Sequence, residues 1–307
     1  MTMYCRNCNS LDCHSLATGV VAPFFLKRVF GINLSDLAGV LTVNNNAQLI
    51  EHIRTNNLEF LFPFQSPVLA VLRVCKRCGF VGPEMYYPEE MLAHLYTDYR
   101  SESYNEERCR YEPQYKDVQY LVGKDPVEIS VRLANLEQLL KSELELDGIH
   151  SVLDWGGGEG RFIPPCLKNK DVYILDISDE PLKDTNFTRI SQPSSGQLFD
   201  LILVAHVIEH VSSPLEFMKK VLLHLKPGGF LYIEVPQDQP DENIQLFKFS
   251  PASINHWIHE HLNLYCEASL MHLGDALGAH RVTMKKNMVD LGWIKGTHLA
   301  GIFQKRV

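Results

Sequence analysis

A chain of 307 residues with 45% hydrophobic and 21% charged side chains holds enough apolar material for one large core or two modest ones. Its formal net charge of −8 argues against a nucleic-acid surface, which needs a basic stripe to meet phosphates. No run of about 18 apolar residues is present to span a membrane, and the opening MTMYCRNCNS lacks the apolar centre of a signal peptide. The expected compartment is therefore the cytoplasm, where a reducing medium keeps the eight cysteines as free thiols or metal ligands rather than disulfides.

Three regions separate by composition. Residues 1–100 carry five of the cysteines, including both CxxC pairs. Residues 101–125 are polar and rich in tyrosine and charge, as in a connector or lid. From 126 to 307 the pattern alternates between helices and strands. Asp125-Pro126 marks a helix start, and Ile129, Leu133, Leu136, Leu140 and Leu144 give that helix one apolar face. SVLDW (151–155) is a short buried strand that runs into glycines, and 161–168 is expected to be helical. VYILDI (172–177), FTRIS (187–191) and DLILVAHV (200–207) follow as strands. Ser213 to Glu216 has the spacing of a capping box; its helix is expected to stop at Lys226-Pro227-Gly228-Gly229. FLYIEVP (230–236) is a fifth strand, a helix covers about 267–277, and RVTMKK and THLAGIFQK close the pattern as strands. Such alternation implies an α/β fold with a doubly wound, mostly parallel sheet.

Asp154-Trp155-Gly156-Gly157-Gly158-Glu159-Gly160 lies where a strand ends and a helix is expected to begin, the place where open sheets bind ligands and where a helix N-terminus offers free N–H groups to an anion. Glycine permits a tight turn and the close approach of a ligand. Asp176, 16 residues after Gly160, ends the next strand, where a carboxylate can accept hydrogen bonds from both hydroxyls of a ribose. The glycines read GxGxG; the dinucleotide GxGxxG would need glycine where Arg161 stands.

VLDWGGGEGRF, YILDIS, FDLILVAHVIEHV and LKPGGFLYIEVP, in that order across 151–236, resemble the successive motifs of class I S-adenosylmethionine (SAM) dependent methyltransferases. The resemblance implies a Rossmann-like, seven-stranded, mostly parallel sheet. It also implies a SAM site in which Asp154, Gly156, Gly158 and Gly160 form the loop, Asp176 holds the ribose, and Ala205 and His206 lie beside the methionine moiety. Trp155 stands where a small or polar residue is usual; it lines the cofactor or packs against a neighbour.

Cys5-x2-Cys8 and Cys75-x2-Cys78 have the spacing of two metal knuckles, and four thiolates suit tetrahedral zinc in a closed, structural site. Cys13 and His14 are competing ligands. A CxxC…CxxCG module ahead of this catalytic domain, followed by the Tyr- and Ser-rich LYTDYRSESY (95–104), is similar to bacterial methyltransferases that act on sugars, including sugar C-methyltransferases. That resemblance implies a small N-terminal zinc-binding domain of the zinc-ribbon kind. It implies an acceptor that is a sugar or nucleotide sugar, destined for a surface polysaccharide or a glycosylated metabolite. It also places a general base in a Y-x-E-H segment, which here reads Ile258-His259-Glu260-His261 without the tyrosine. Nor does the chain continue past 307 into the further domain of the sugar C-methyltransferases, so O-methylation fits at least as well as C-methylation. His261, supported by Glu260, and His210 are the candidate catalytic residues; Tyr99, Arg100 and Tyr104 are candidates to close over the site. Methylation of another small metabolite, a nicotinamide-dependent oxidoreductase and a non-catalytic zinc-bearing scaffold are the competing readings.

Overall fold

Asp125 is where the chain turns from short, irregular pieces to long regular ones. Its carboxylate accepts hydrogen bonds from the Val127 and Glu128 N–H groups at 2.8 and 3.3 Å, and Pro126 occupies the first helical turn, where a missing N–H costs nothing. The chain divides into two compact units, one of residues 1–4, 10–119 and 242–263 and the other of residues 5–9, 120–241 and 264–307. The computed structural model describes residues 4–31, 69–99, 101–121, 123–237, 257–258, 260–290 and 295–307. Arg100 and His259, singled out from the sequence, lie outside the described residues.

The first unit carries a four-stranded sheet in the order β3-β2-β1-β9. These strands are β1 (Cys13–Val21), β2 (Leu69–Cys75), β3 (Val81–Pro83) and β9 (Trp257–Ile258). β1 and β2 are antiparallel with Cys13 opposite Cys75, while β9 runs parallel to β1. Three helices belong to this unit: α1 (Pro23–Phe30), α2 (Glu89–Leu95) and α3 (Glu102–Tyr111). Their packing is aromatic, with Phe24 edge-on to Tyr104 at 5.1 Å and Phe25 edge-on to Tyr87 at 5.5 Å. Residues 101–119, read from composition as connector or lid, therefore supply α3 and a short 3-10 turn at Pro113–Asp117 to this unit.

The second unit is the expected seven-stranded sheet, in the order β10-β11-β8-β7-β4-β5-β6. Its strands are β4 (Ser151–Trp155), β5 (Asp171–Leu175), β6 (Thr188–Ile190), β7 (Phe199–Ala205), β8 (Leu225–Pro236), β10 (His280–Asp290) and β11 (Lys295–Gln304). β4 to β8 pair in parallel, and β11 joins β8 and β10 antiparallel. Three helices accompany the sheet: α4 (Pro126–Glu143), α5 (Pro214–Leu222) and α6 (Glu267–Ala276). Leu136, Leu139 and Leu140 of α4 share a buried core with Val152, Ile174 and Leu203 of the strands. At about 1.5–3 kcal/mol for each buried aliphatic side chain, this face holds α4 in place. Arg132 occupies a buried position on the same helix, where the apolar spacing had placed Ile129 and Leu133, and both of those are only half-buried.

Three expectations change. The stretch 161–168 is not an α-helix; it turns through Pro164 and Pro165 into a 3-10 segment at Pro165–Leu167, because two successive prolines supply no N–H to a helical ladder. Ser213 makes no side-chain cap on α5, and Glu216 pairs instead with Lys219 at 2.8 Å. α5 ends at Leu222, and the Lys226–Gly229 stretch opens β8 rather than forming a loop, bulging against β7 between Phe199 and Leu201. The Lys226 ammonium anchors this start on Asp200 at 2.8 Å. No helix among the described residues is long and apolar enough to cross a membrane.

Candidate active site

β4 ends at Trp155, and the glycines begin. Gly156 has φ +82° and Gly158 φ +57°, both in the left-handed region. A Cβ on Gly156 would lie 2.4 Å from Val207 Cγ2, whereas one on Gly158 would meet nothing within 4 Å. Gly156 is thus pinned by packing, and Gly158 faces open space, as a surface approached by a ligand requires. The Gly158 N–H donates to Asp176 Oδ2 at 2.8 Å and the Ser178 N–H to Asp176 Oδ1 at 2.8 Å. Asp176 is therefore locked against the turn, and its remaining lone pairs are available to a pair of hydroxyls. Gly160, also at positive φ, packs on Phe187.

Arg189, on β6, was not singled out from the sequence. Its guanidinium donates to the carbonyls of Ser178 at 2.8 Å, Gly158 at 2.9 Å and Glu180 at 2.6 Å, stapling the glycine turn to the chain after β5. Trp155 packs edge-on to Phe217 at 5.7 Å and tilted on His224 at 6.2 Å. Asp154 is buried beneath the turn, with Oδ2 2.4 Å from where a Cβ on Gly157 would stand. Burial first, and then the neighbouring charge of Asp176, push its carboxyl up to about 7 against the opposing pull of Arg132.

Ala205 ends β7 opposite Glu234 of β8, and His206 follows at φ +55°, an uncommon conformation for a side-chain-bearing residue and one that concentrates at functional sites. His206 meets Glu209 through Nδ1 at 3.3 Å and Glu234 through Nε2 at 3.1 Å. Burial and Arg132 pull its pKa down, but the two carboxylates outweigh them and the net shift is upward. Glu234 was also missed by the sequence reading. Its Oε1 accepts from Arg132 Nε at 2.8 Å and Nη2 at 2.7 Å, and its Oε2 accepts from the Tyr232 hydroxyl at 2.6 Å. Burial would raise this carboxyl, yet Arg132 and His206 hold it well below the usual carboxylate range. His298 on β11 stands 3.8 Å from Glu234, and burial together with His206 lowers its pKa to about 3, so its ring is neutral. The buried Arg132–Glu234 pair is costly to break: losing one partner of such a pair costs about 3–5 kcal/mol.

The candidate bases divide between the units. His210 sits in the turn after β7, 3.8 Å from Glu209. Glu260 and His261 belong to the first unit. There the Glu260 carboxylate accepts from Tyr99 and Tyr104 at 3.4 Å each and pairs closely with Arg108. Arg108 also pairs with Glu112 at 3.1 Å and lies 4.0 Å over the Tyr115 ring. Tyr104 is fully buried, and that burial, followed by the charge of Glu260, raises its hydroxyl far above the ordinary tyrosine range.

The two CxxC pairs share one local design. The Asn9 N–H donates to the Cys5 carbonyl at 2.9 Å and the Gly79 N–H to the Cys75 carbonyl at 2.8 Å, with Asn9 at φ +60° and Gly79 at φ +75°. All four cysteines are buried, and within each pair the two-residue spacing suits a zinc knuckle.

Asp176→Ala is expected to leave the fold intact and weaken SAM binding at least tenfold in a calorimetric titration, since a hydrogen bond to a charged group contributes about 1.5–3 kcal/mol. Unchanged affinity would remove Asp176 from the site. For Asp154, a folded pKa near 7 lies above the unfolded value of about 3.9. The folded chain thus holds a proton that the unfolded chain has released, and this group's contribution to stability falls as pH rises between those two values. Melting curves between about pH 5 and pH 8 should show a shallower loss of stability for Asp154→Asn than for the natural chain. Parallel curves would mean that Asp154 is already ionised.

Comparison with known proteins meets this geometry from outside. A family described as "Methyltransferase domain" matches residues 105–282, more than half of the chain. A ubiquinone biosynthesis O-methyltransferase of Parvibaculum lavamentivorans is 29% identical over 96 residues, which are 26% of this chain and 38% of that protein, so the chain spans well under half of that relative's length. Among solved structures, a SAM-dependent methyltransferase of Leishmania major aligns with TM-score 0.46 and 13% identity, over 60% of this chain and 76% of the other. The Burkholderia thailandensis 1,6-didemethyltoxoflavin-N1-methyltransferase, solved with its acceptor and S-adenosylhomocysteine, aligns with TM-score 0.45 and 18% identity, over 65% and 87% of the two chains. On the family match, the chain belongs to the methyltransferase-domain family.

Proposed function

We infer that the chain is a SAM-dependent methyltransferase whose acceptor is a hydroxyl of a sugar or nucleotide sugar, with a structural zinc held by Cys5, Cys8, Cys75 and Cys78. The observation that carries the SAM reading is the Asp176 carboxylate held between the Gly158 and Ser178 N–H groups beside an open glycine turn. Asp176 would bind the ribose hydroxyls; Gly156 and Gly158 would let the cofactor pass close to the backbone; Ala205 and His206 would flank its methionine end. SAM supplies a methyl group on a sulfonium, poised for displacement by a nucleophile. The protein's part is then to hold the acceptor oxygen in line with that methyl and to take the proton that the oxygen loses. His261 is the proposed base, with His210 as the alternative.

Glu260 serves this base by position. Its carboxylate is committed to Arg108, Tyr99 and Tyr104, so it anchors the backbone next to His261 in an arginine–tyrosine cluster. The sugar assignment rests on the resemblance carried by the two CxxC pairs and the Tyr-rich 95–104 stretch. A different small acceptor, such as the ring compounds in the names of the two relatives above, is the second reading.

His261→Ala should lower turnover on the true acceptor by about a hundredfold or more, the usual contribution of a positioned base, while SAM affinity stays near normal. Near-normal turnover would move the role to His210. Screening nucleotide sugars against phenolic acceptors, with S-adenosylhomocysteine release as the signal, separates the two acceptor classes. Elemental analysis of protein purified without chelator should find about one tightly held zinc per chain; none would count against the four-thiolate site.

A further inference from the structure

Glu234 and His298, at the carboxyl edge of the larger sheet, have no part in the proposed methyl transfer, and both lie against His206. His206 Nε2 and His298 Nδ1 are both shielded from water and neither has a hydrogen-bond partner. Yet they stand 3.1 and 3.8 Å from one and the same oxygen, Glu234 Oε1. The three atoms lie within 4.8 Å of one another. A proton on His206 answers Glu234 alone and leaves the buried His298 Nδ1 without a partner, whereas one shared cation satisfies both ring nitrogens and the carboxylate together.

The surroundings are those of metal ligands. The other ring nitrogen of His206, Nδ1, faces Glu209 at 3.3 Å, the carboxylate–imidazole arrangement that orients a ligating histidine. Glu234 is held by the Tyr232 hydroxyl on Oε2 and by Arg132 on Oε1, so its carboxylate is rigid. Arg132 also meets Glu128 at 3.4 Å. Two carboxylates (Glu128 and Glu234) thus meet the one guanidinium, and a third, Glu209, faces His206. Glu234 and Glu209 are almost wholly buried, at 3% and 0% exposure, while the side chains of His206 and His298 retain 23% and 13%.

We propose that His206, Glu234 and His298 bind a divalent transition-metal ion through Nε2, Oε1 and Nδ1, at a second site separate from the four cysteines. Two imidazoles and one carboxylate favour zinc, iron(II), cobalt(II) or nickel(II) over magnesium or calcium, which prefer all-oxygen sets.

The test is a cobalt(II) titration of the full chain, followed by absorption and by metal analysis after gel filtration. Cobalt at the four thiols gives an intense thiolate charge-transfer band; cobalt at the proposed site gives none. The expected result is one further equivalent taken up after that band has saturated. His298→Ala should weaken this second equivalent at least tenfold, leaving the thiolate band and the melting temperature as in the natural chain. Saturation of all uptake together with the thiolate band would overturn the proposal, and so would a second equivalent that His298→Ala leaves unchanged. Should His298→Ala fail to fold, the stoichiometry of the natural chain decides alone. The readout does not involve methyl transfer, so it stands or falls independently of the proposed reaction.

Discussion

The turn that leaves β4 is the constraint on which the carboxyl edge of the larger sheet depends. Gly156 must carry no side chain because Val207 already fills that space, and Gly158 must adopt a conformation that other residues avoid. That conformation aims the Gly158 N–H at Asp176, and the Ser178 N–H completes the grip from the other side. Arg189 then ties the carbonyls of the same two segments together. The result is a rigid acceptor for hydroxyls at the end of β5, built almost wholly from backbone groups and therefore not in need of side-chain ordering when a ligand arrives.

A second layer of charge lies beneath and beside this turn. Arg132 reaches from α4 to Glu234 in the centre of the sheet, and the pair is almost completely buried. Pairs of this kind add little net stability relative to apolar neighbours, but removing one member leaves the other charged and unsolvated. The same guanidinium opposes the upward shift of Asp154 and holds Glu234 ionised. One residue on a helix outside the motifs thus sets the electrostatics of two strand ends, and His206 inherits its charged surroundings.

Much of this was legible in the sequence because it follows from local rules. The glycine run, the strand-ending Asp176 and the order of apolar segments specify the sheet and the turn, and the CxxC pairs specify two matching knuckles. What escaped depends on contacts between distant segments. Arg132 sits among leucines and reads as one polar position on an amphipathic helix; its partner is 102 residues away. Glu234, a carboxylate in the middle of LYIEVP, was the available signal, since an acid inside a buried strand demands a partner. Arg189 lies in a three-residue strand and carries no signal of its own. The partners of Glu260 were equally out of sight: its side chain is bound to Arg108 and to two tyrosines from the 99–108 segment. The expected helix at 161–168 failed at Pro164 and Pro165, which supply no N–H to a helical ladder.

The central claim, that the glycine turn and Asp176 form a SAM site, is tested most directly by calorimetric titration of the purified full chain with SAM and, in a separate run, with NADH. The account predicts micromolar SAM binding at one site per chain and no heat with NADH. Folded protein, free of co-purified ligand, that binds NADH or fails to bind SAM would contradict it.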